Sequence, residues 1–415
     1  MRALCLVAIA LTACGRRASD KTITPDPLVT PAKPPAEVKK AKGEQLVLFR
    51  GKVIDLSTRV VAHVLDKDLP AREAANGGFA YLLSKAGELR AYDMQTGSPR
   101  WSVATTSCSL LAASEGGAFC GKGTDLVRYE AEKGVANPVP SKSVAALHQL
   151  LASGGRVLVL RDDRSLESID GHTGVSVGSD VLPFMPYGSR EGMVANLRGA
   201  CGASPSSVDV RLVCVDRSAK ILYEKTYSLK KPGDPSSMSF ITRQLDADWL
   251  VTSTWFSKTP TRGIVVRLSD GAEVLRVEEE VLAAVSRPDG ALEGFFVGKP
   301  GPTFLEPTGA VRWTTTEKFE DGASAALAGD VLAIASFHPI ATGASLRGFD
   351  RATGALRWTG AVELLSIGHS KYFNHVDVSF AHGMVVMRGD EAAQHYLELF
   401  DPKDGARTFS ELRGR

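Results

Sequence analysis

Two stretches of this sequence, YDMQTGSPRW at Tyr92–Trp101 and FDRATGALRW at Phe349–Trp358, are nearly identical in pattern and lie 257 residues apart. We call this repeated pattern the phrase. In each stretch an Asp is followed four residues later by a Gly. An Asp side chain accepts hydrogen bonds from the backbone N–H groups two and three residues onward, and Gly supplies the positive φ that other residues resist. Because a catalytic motif normally occurs once per domain, the repetition of the phrase indicates a structural role rather than a catalytic one.

The phrase recurs in degraded forms along the chain, and each form ends a short alternating strand. The eight copies are ELRAYDMQTG, DLVRYEAEKG, SLESIDGHTG, RLVCVDRSAK, IVVRLSDG, TFLEPTG, SLRGFDRATG and LELFDPKDG. Their turn positions are Gly97, Gly134, Gly174, Lys220, Gly271, Gly309, Gly354 and Gly405. The mean step is about 44 residues, and segments such as GGFAYLLSK add a strand pair upstream, which makes four strands per repeat. We therefore predict an all-β, eight-bladed β-propeller of four-stranded antiparallel blades over residues 45–415, or seven blades if one copy is incomplete.

The repeated residues receive structural roles in this interpretation. The Asp and the Gly close the turn, and the Trp that begins the next strand packs between neighbouring sheets. The residues assigned these roles are Asp93, Gly97, Trp101, Asp350, Gly354 and Trp358. The alternative, in which the carboxylates act as general acids, requires paired carboxylates in one pocket, whereas blade turns are dispersed around a ring.

An open end of the ring would leave strand edges unpaired, so the ends of the ring need a closure. The segment from Gln45 to Leu65 alternates apolar and polar residues ahead of the first repeat. We predict that it adds a strand to the blade formed by Leu397 to Arg415.

The pattern Leu-x-x-aromatic-Asp-x-x-Thr-Gly-x-x-x-Trp resembles the quinoprotein repeat of pyrroloquinoline-quinone dehydrogenases and their non-enzymatic relatives. The copies at Asp93 and Asp350 match it best, and the resemblance covers almost all of the chain after residue 44. The enzymes of that family hold the quinone above a calcium ion and carry a disulfide between adjacent cysteines. This sequence has no adjacent cysteines and no position that matches the family's catalytic Asp or calcium ligands. We therefore predict no catalytic residue, no cofactor and no metal site.

The N-terminus, MRALCLVAIALTACG, combines one basic residue with an apolar run too short to span a bilayer, which is typical of a signal peptide. Its LTAC sequence at residues 11–14 resembles a bacterial lipobox. That resemblance implies a lipoprotein signal peptide at residues 1–13 and a lipidated Cys14, and the following Gly15 and Arg16 favour the outer membrane over the inner one. The alternative is an ordinary cleaved signal with an incidental Cys.

Residues 14–44 are rich in Pro and Lys, and we predict a disordered tether between the lipidated Cys14 and the propeller. The tether either contacts anionic lipid head groups or is a solvated linker. The whole chain carries a net charge of +2, which gives no indication of a nucleic-acid partner. A lipobox, a tether and a propeller together resemble the propeller lipoproteins of the outer-membrane β-barrel assembly machinery.

Two of the six cysteines lie in the N-terminal segment, and the other four lie in two strand–turn–strand segments, CSLLAASEGGAFC and CGASPSSVDVRLVC. If each turn sits midway, Cys108 falls opposite Cys120 and Cys201 opposite Cys214. Because an exported protein meets an oxidising compartment, we predict these two disulfides. A four-thiolate metal site is the alternative, but no Cys-x-x-Cys spacing supports it.

Four histidines, His369, His375, His382 and His395, cluster near the C-terminus with Asp377, but their spacing fits no metal-ligand pattern. The sequence as a whole predicts a non-catalytic lipoprotein of the bacterial cell envelope, on the periplasmic face of the outer membrane. Its propeller would bind other envelope proteins, either as a monomer or within a hetero-complex. A quinone-dependent dehydrogenase and a carbohydrate- or small-ligand-binding propeller are the alternatives.

Overall fold

The computed structural model describes residues 45–413 except 77, 106–107, 187–191, 197, 207–208, 236–238, 256–260, 299–301, 320–321, 338–343, 363–373 and 392–393. The predicted signal peptide, the predicted lipidated Cys14 and the tether lie outside the described residues. Within the described part, no helix has the length and apolar character needed to cross a membrane.

The described chain folds into strands that form nine antiparallel sheets in chain order, and we number these blades 1 to 9. Blade 1 consists of β1 (Leu46–Phe49), β2 (Lys52–Asp55) and β3 (Val60–Val64). Blade 2 consists of β4 (Arg72–Asn76), β5 (Phe79–Leu83), β6 (Glu88–Asp93) and β7 (Pro99–Ala104). Blade 3 consists of β8 (Leu110–Ser114), β9 (Gly117–Lys122), β10 (Asp125–Glu130) and β11 (Ala136–Pro138). Blade 4 consists of β12 (Leu147–Ser153), β13 (Arg156–Arg161), β14 (Ser165–Asp170) and β15 (Ser176–Val181).

The remaining five blades each have four strands as well. Blade 5 consists of β16 (Met193–Asn196), β17 (Gly199–Pro205), β18 (Asp209–Asp216) and β19 (Ile221–Ser228). Blade 6 consists of β20 (Ser239–Leu245), β21 (Trp249–Trp255), β22 (Gly263–Arg267) and β23 (Ala272–Val277). Blade 7 consists of β24 (Val281–Ser286), β25 (Leu292–Val297), β26 (Thr303–Leu305) and β27 (Val311–Thr314). Blade 8 consists of β28 (Gly322–Ala328), β29 (Val331–Phe337), β30 (Ala344–Asp350) and β31 (Leu356–Gly360). Blade 9 consists of β32 (Asn374–Ala381), β33 (Met384–Glu391), β34 (Gln394–Phe400) and β35 (Arg407–Arg413).

Strands in each blade follow chain order, so every blade is a simple antiparallel meander. The first strands of several neighbouring blades contact one another. For example, β4 contacts β8, and β28 contacts β32. They therefore lie nearest the axis of the ring, and the fourth strands lie at its rim. The middle strands are buried on both faces, because each blade packs against a neighbour on either side.

The ring closes by face-to-face packing between blade 1 and blade 9. Val47, Phe49 and Ile54 of blade 1 share one core cluster with Val386 and Leu397 of blade 9. The prediction that the segment from Gln45 to Leu65 adds a strand to the last blade is therefore wrong. Blade 9 supplies all four of its own strands, so this segment forms a sheet of its own.

The described residues thus form nine blades, and the predicted count of eight or seven is wrong. The missed blade contains a ninth copy of the turn. The Asp55 carboxylate accepts hydrogen bonds from the backbone N–H groups of Ser57 and Thr58, at 2.8 and 3.3 Å. Arg59 occupies the glycine position with φ +61°, and His63 occupies the tryptophan position. The copy escaped recognition because it lacks both the Gly and the Trp of the phrase.

Both predicted disulfides are present. Cys201 and Cys214 lie directly opposite each other on β17 and β18, as predicted, with their Cα atoms 4.1 Å apart. Cys108 precedes β8, and the residue opposite Cys120 on β8 is Leu111. The predicted cross-strand position of Cys108 is therefore wrong, because the hairpin turn is centred after Ser114 rather than on it.

Candidate functional site

The repeated turn has the same geometry in blades 2 and 8. The Asp93 carboxylate accepts hydrogen bonds from the backbone N–H groups of Gln95 and Thr96 at 2.9 and 3.0 Å. The Asp350 carboxylate does the same with the residues two and three positions onward, at 3.0 and 2.8 Å. Gly97 and Gly354 have φ values of +70° and +72°, so both turns use the left-handed conformation that favours glycine.

An arginine completes each of these turns, and the sequence patterns assigned it no role. The Arg100 guanidinium donates to the second oxygen of Asp93 at 2.6 Å, and Arg357 donates to Asp350 at 2.5 Å. The Arg100 hydrogen bond, opposed by partial burial, lowers the pKa of the Asp93 carboxyl from its usual value. The pKa of Asp350 is also lowered, first by Arg357 and then by hydrogen bonds from Thr353. The sequence signal for this arginine is its position immediately before the Trp in both opening stretches.

The tryptophans join one blade to the turn of the next. The Trp101 indole N–H donates to the carbonyl of Ala131 in blade 3 at 2.8 Å. A Cβ atom on Gly134 would lie 2.6 Å from the Trp101 ring, which is closer than a side chain allows. The turn glycine is therefore required twice, for its φ of +66° and for the close approach of the preceding blade's aromatic ring.

The same contact recurs at the junction between blades 8 and 9. The Trp358 indole N–H donates to the Pro402 carbonyl at 2.8 Å, and a Cβ atom on Gly405 would lie 2.5 Å from its ring. His63 makes the equivalent contact from blade 1, with its Nε2 atom 2.8 Å from the carbonyl oxygen of Gln95 in blade 2. We call these aromatic-to-turn contacts junction contacts.

A buried carboxylate ties blades 7 and 8 together as well. The Glu293 side chain is 3% exposed and accepts two hydrogen bonds at 2.6 Å from the Arg351 guanidinium. Arg312 donates to the same carboxylate at 2.5 Å. Burial alone would raise the pKa of Glu293, but these two guanidinium groups together hold it below its usual value. Glu293 therefore acts as an electrostatic bridge between blades.

The six predicted turn and packing residues are thus distributed over four junctions, and the fold does not bring them into one pocket. A different surface collects exposed apolar side chains. The fourth strand of blade 3, β11, has only three residues and ends at Pro138. Because Pro has no backbone N–H, it cannot continue the strand ladder in the ordinary way. The outer part of the neighbouring strand β15 is consequently left uncovered.

On this uncovered face Val175, Val177 and Val181 are 60%, 41% and 56% exposed. Val177 is the extra residue of a β-bulge, because Ser168 pairs with Gly178 and Ile169 pairs with Ser176. Val181 lies opposite Ser165, on the same face of the blade as Glu167. The other side faces blade 5, where the Asp180 carboxylate accepts a hydrogen bond from the Ile221 backbone N–H at 3.2 Å. We call the surface formed by these three valines and β11 the valine groove.

A cleft of about 370 Å³ continues the valine groove inward between blades 3 and 4. Glu167 lines this cleft and is only 5% exposed. One of its carboxylate oxygens accepts a hydrogen bond from the Ser141 hydroxyl at 3.0 Å. Its other oxygen, Oε1, accepts none from the residues that the structure describes. The cleft therefore offers a buried negative acceptor beside an apolar strip, and no sequence motif pointed to it.

The C-terminal histidines are dispersed. His395 places its Nδ1 atom 2.8 Å from a guanidinium nitrogen of Arg50 in blade 1, and His382 lies in a tight turn with φ +51°. His369 and the side chain of His375 lie outside the described residues. In the part of the chain that the structure covers, no three His, Cys, Asp or Glu side chains are grouped as metal ligands.

Comparison with known proteins supports the fold. No protein-family profile matches the sequence, and no curated protein matches it either. Similar solved structures include one described as the eukaryotic initiation factor, with TM-score 0.51 and 11% identity, covering 87% of this chain and 92% of that one. BamB from Moraxella catarrhalis has TM-score 0.43 and 12% identity, with coverages of 80% and 93%. Saccharomyces cerevisiae Sqt1 has TM-score 0.44 and 9% identity, with coverages of 82% and 84%. At these identities the likeness concerns the fold alone, and the quinoprotein resemblance stays a prediction.

Proposed function

We propose that this protein is a non-catalytic lipoprotein of the bacterial cell envelope, anchored through Cys14 on the periplasmic face of the outer membrane. In this proposal the propeller binds other envelope proteins. The anchor rests on the LTAC sequence at residues 11–14 and on the Pro-rich segment that separates it from blade 1. The two disulfides suit an exported protein, because they persist in oxidising compartments.

The valine groove is the observation that carries the binding role. Three exposed valines, Val175, Val177 and Val181, form an apolar strip at the rim of the ring, with Ser179 between the last two. A partner segment in extended conformation presents alternate side chains to one surface, so its apolar residues would pack on this strip. Strands of outer-membrane barrel proteins alternate apolar and polar residues in this way. An extended segment of such a protein is the partner that the groove fits, and a Lys or hydroxyl group on it would donate to Glu167 in the cleft.

The anchor is tested by fractionation of cells that produce the Cys14→Ser variant. We expect this variant in the soluble periplasmic fraction, whereas Cys5→Ser stays with the membranes, because residue 5 lies in the signal segment that is removed. Mass spectrometry of the unchanged protein should find the Cys14 residue acylated. Membrane retention of Cys14→Ser after residues 1–13 have been removed, or an unmodified Cys14, would overturn the anchoring role.

The binding role is tested by placing a photo-crosslinking amino acid at Val177 in cells. The matched control carries the same amino acid at Thr226, an exposed position on the polar outer strand β19. We expect adducts with envelope proteins from position 177 only, and we expect Glu167→Gln to reduce them. Equal adducts from both positions, or none from position 177, would contradict a binding role for the valine groove.

A further inference from the structure

Blades 4 and 9 each carry a buried glutamate at the same position of the third strand. Glu167 lies opposite Ser179 on β15, and Glu398 lies opposite Ser410 on β35. The register then shifts by one residue at the same place in both blades. The two glutamate side chains are 5% and 0% exposed. The outer strands of these two blades can therefore be compared residue by residue.

Blade 9 supplies a guanidinium to its glutamate from the outer strand. Arg407 lies opposite Phe400, and its Nη1 atom donates to Glu398 Oε1 at 3.3 Å. The same nitrogen donates to the carbonyl of Ala361, in the segment that follows blade 8, at 3.0 Å. A buried carboxylate needs such a partner, because its charge is costly away from water. Arg407 thus joins the carboxylate of blade 9 to the neighbouring blade.

Blade 4 has a serine where blade 9 has this arginine. Ser176 lies opposite Ile169, as Arg407 lies opposite Phe400. The Ser176 hydroxyl oxygen is buried and has no hydrogen-bond partner among the described residues, and the same is true of Glu167 Oε1. Both residues line the cleft between blades 3 and 4. The cleft therefore lies where the longer arginine side chain lies in blade 9.

The opposite wall of the cleft corresponds as well. Ala361 follows the residue that pairs with Leu346, and Pro140 follows the residue that bonds to Leu126. Leu346 and Leu126 each lie four residues before the acidic residue of their turn. Pro140 therefore takes the place of Ala361, and it lines the cleft. By this correspondence its carbonyl oxygen is the second acceptor that a guanidinium in the cleft would meet.

The cations of the chain itself do not complete the carboxylate. Arg128 lines the cleft and donates to two backbone carbonyls at 3.1 and 3.0 Å. Arg161 reaches the same interface and also donates to two backbone carbonyls, at 3.2 and 2.6 Å. Lys142 lines the cleft from an exposed position. None of the three donates to Glu167 Oε1, so this oxygen is open to a cationic group from another molecule.

We propose that the partner bound in the valine groove inserts an arginine side chain into the cleft, where its guanidinium donates to Glu167 Oε1. This inference rests on the proposed function, because the arginine belongs to the extended partner segment described there. Val175 and Val177 flank Ser176 in the chain, so a segment packed on these valines lies beside the opening. Arginine is a better occupant than lysine or a hydroxyl group, because its planar fork can donate to two acceptors at once.

The variant Ser176→Arg tests the proposal because it rebuilds the arrangement of blade 9 within blade 4. With the photo-crosslinking amino acid at Val177, we expect Ser176→Arg to abolish the adducts, since the chain's own guanidinium then occupies Glu167. Thr226→Arg adds the same charge to the exposed face of β19 and should leave the adducts unchanged. Undiminished adducts with Ser176→Arg would overturn the inserted arginine and leave the valine groove as a binding surface.

A small probe tests the cleft in the purified full chain without any partner. Ethylguanidinium reproduces the end of an arginine side chain, and N-ethylurea is its uncharged analogue of similar shape. Calorimetry should show that ethylguanidinium binds and that N-ethylurea binds about tenfold more weakly or not at all, because only the cation forms a charged hydrogen bond. Glu167→Gln and Ser176→Arg should each abolish the binding.

The two experiments separate this proposal from the proposed function. Failure of ethylguanidinium to bind, or equal binding of the two probes, would overturn the arginine site even if position 177 gives adducts. Binding of ethylguanidinium that depends on Glu167 would support the arginine site even if position 177 gives none, and the binding role of the groove alone would then fail.

Discussion

The junction between blades 8 and 9 and the junction between blades 1 and 2 have the same backbone frame but different side chains. The first uses Trp358 against Gly405, and the ring is 6% exposed. The second uses His63 against Gly97, and the imidazole is half-buried. In both, a ring on the last strand of one blade lies on the turn glycine of the next and contacts a carbonyl of that turn.

This difference shows which residues set the backbone geometry of the turn and which residues stabilise it. Both Asp55 and Asp350 cap the turn of their own blade with two backbone N–H groups, so the Asp sets the geometry of the chain. The glycine and the ring add conformational freedom and buried area, and blade 1 forms with Arg59 and His63 in their places. A blade can therefore lose the recognisable parts of the phrase and keep its fold.

Replacing the ring by alanine should give the largest difference in stability between the two junctions. We expect Trp358→Ala to lower the free energy of unfolding by about 3–5 kcal/mol, because a large buried ring leaves a cavity. His63→Ala should cost about 1 kcal/mol, because it removes one hydrogen bond and a half-buried contact. Urea denaturation followed by tryptophan-independent circular dichroism measures both losses.

Trp358→Phe is the control for this comparison, since it keeps an aromatic ring and loses the hydrogen bond to Pro402. It should fall between the two alanine variants. Equal losses for Trp358→Ala and His63→Ala would mean that the buried area of the ring does not distinguish the junctions.

Acid should weaken the turn of blade 8 more than the turn of blade 1. Arg357, followed by the Thr353 hydrogen bonds, lowers the pKa of Asp350. Burial alone would raise the pKa of Asp55, but hydrogen bonds from Ser57 and Thr58 outweigh it, so its pKa is lowered without an arginine. A carboxyl with a lowered folded-state pKa stabilises the fold fully above its unfolded value of about 3.9, and this contribution is lost as the pH falls towards the folded value.

The loss of stability caused by Asp350→Asn should therefore be largest near neutral pH and should shrink progressively as the pH falls below about 4 towards the lowered folded-state pKa. Asp55→Asn should follow the same course with a smaller amplitude. Urea midpoints measured from pH 7 to pH 2 give both curves. A constant penalty for Asp350→Asn at every pH would show that its charge does not stabilise the turn.

The sequence was sufficient to predict the four-stranded blades and both disulfide pairings, because alternation, turn residues and cysteine spacing are local signals. It was insufficient for the ninth blade, where Arg59 and His63 replace the Gly and the Trp that make the phrase visible. The closure was also missed, because β1 to β3 pack face to face on blade 9, and such packing leaves no mark beyond ordinary alternation.

The candidate site was less predictable than the fold. The valine groove exists because β11 stops at Pro138 while β15 continues to Val181, so it depends on the relative lengths of two strands in different blades. Glu167 enters the cleft between those blades from a third strand, β14. No local motif connects these residues, because the contact between blades 3 and 4 is what brings them together.

The smallest expected effect concerns the glycine position of blade 1. Arg59 has φ +61°, a left-handed conformation that costs a non-glycine residue roughly 1 kcal/mol, and its side chain is exposed. Arg59→Gly relieves this strain but increases the freedom of the unfolded chain, so we expect a net stabilisation of about 0.5 kcal/mol. The converse change, Gly97→Ala, should destabilise, because φ is +70° there and a Cβ atom would lie 2.7 Å from the His63 ring. Urea denaturation measures both, and a destabilising Arg59→Gly would mean that the Arg59 side chain contributes contacts that outweigh the strain of its backbone.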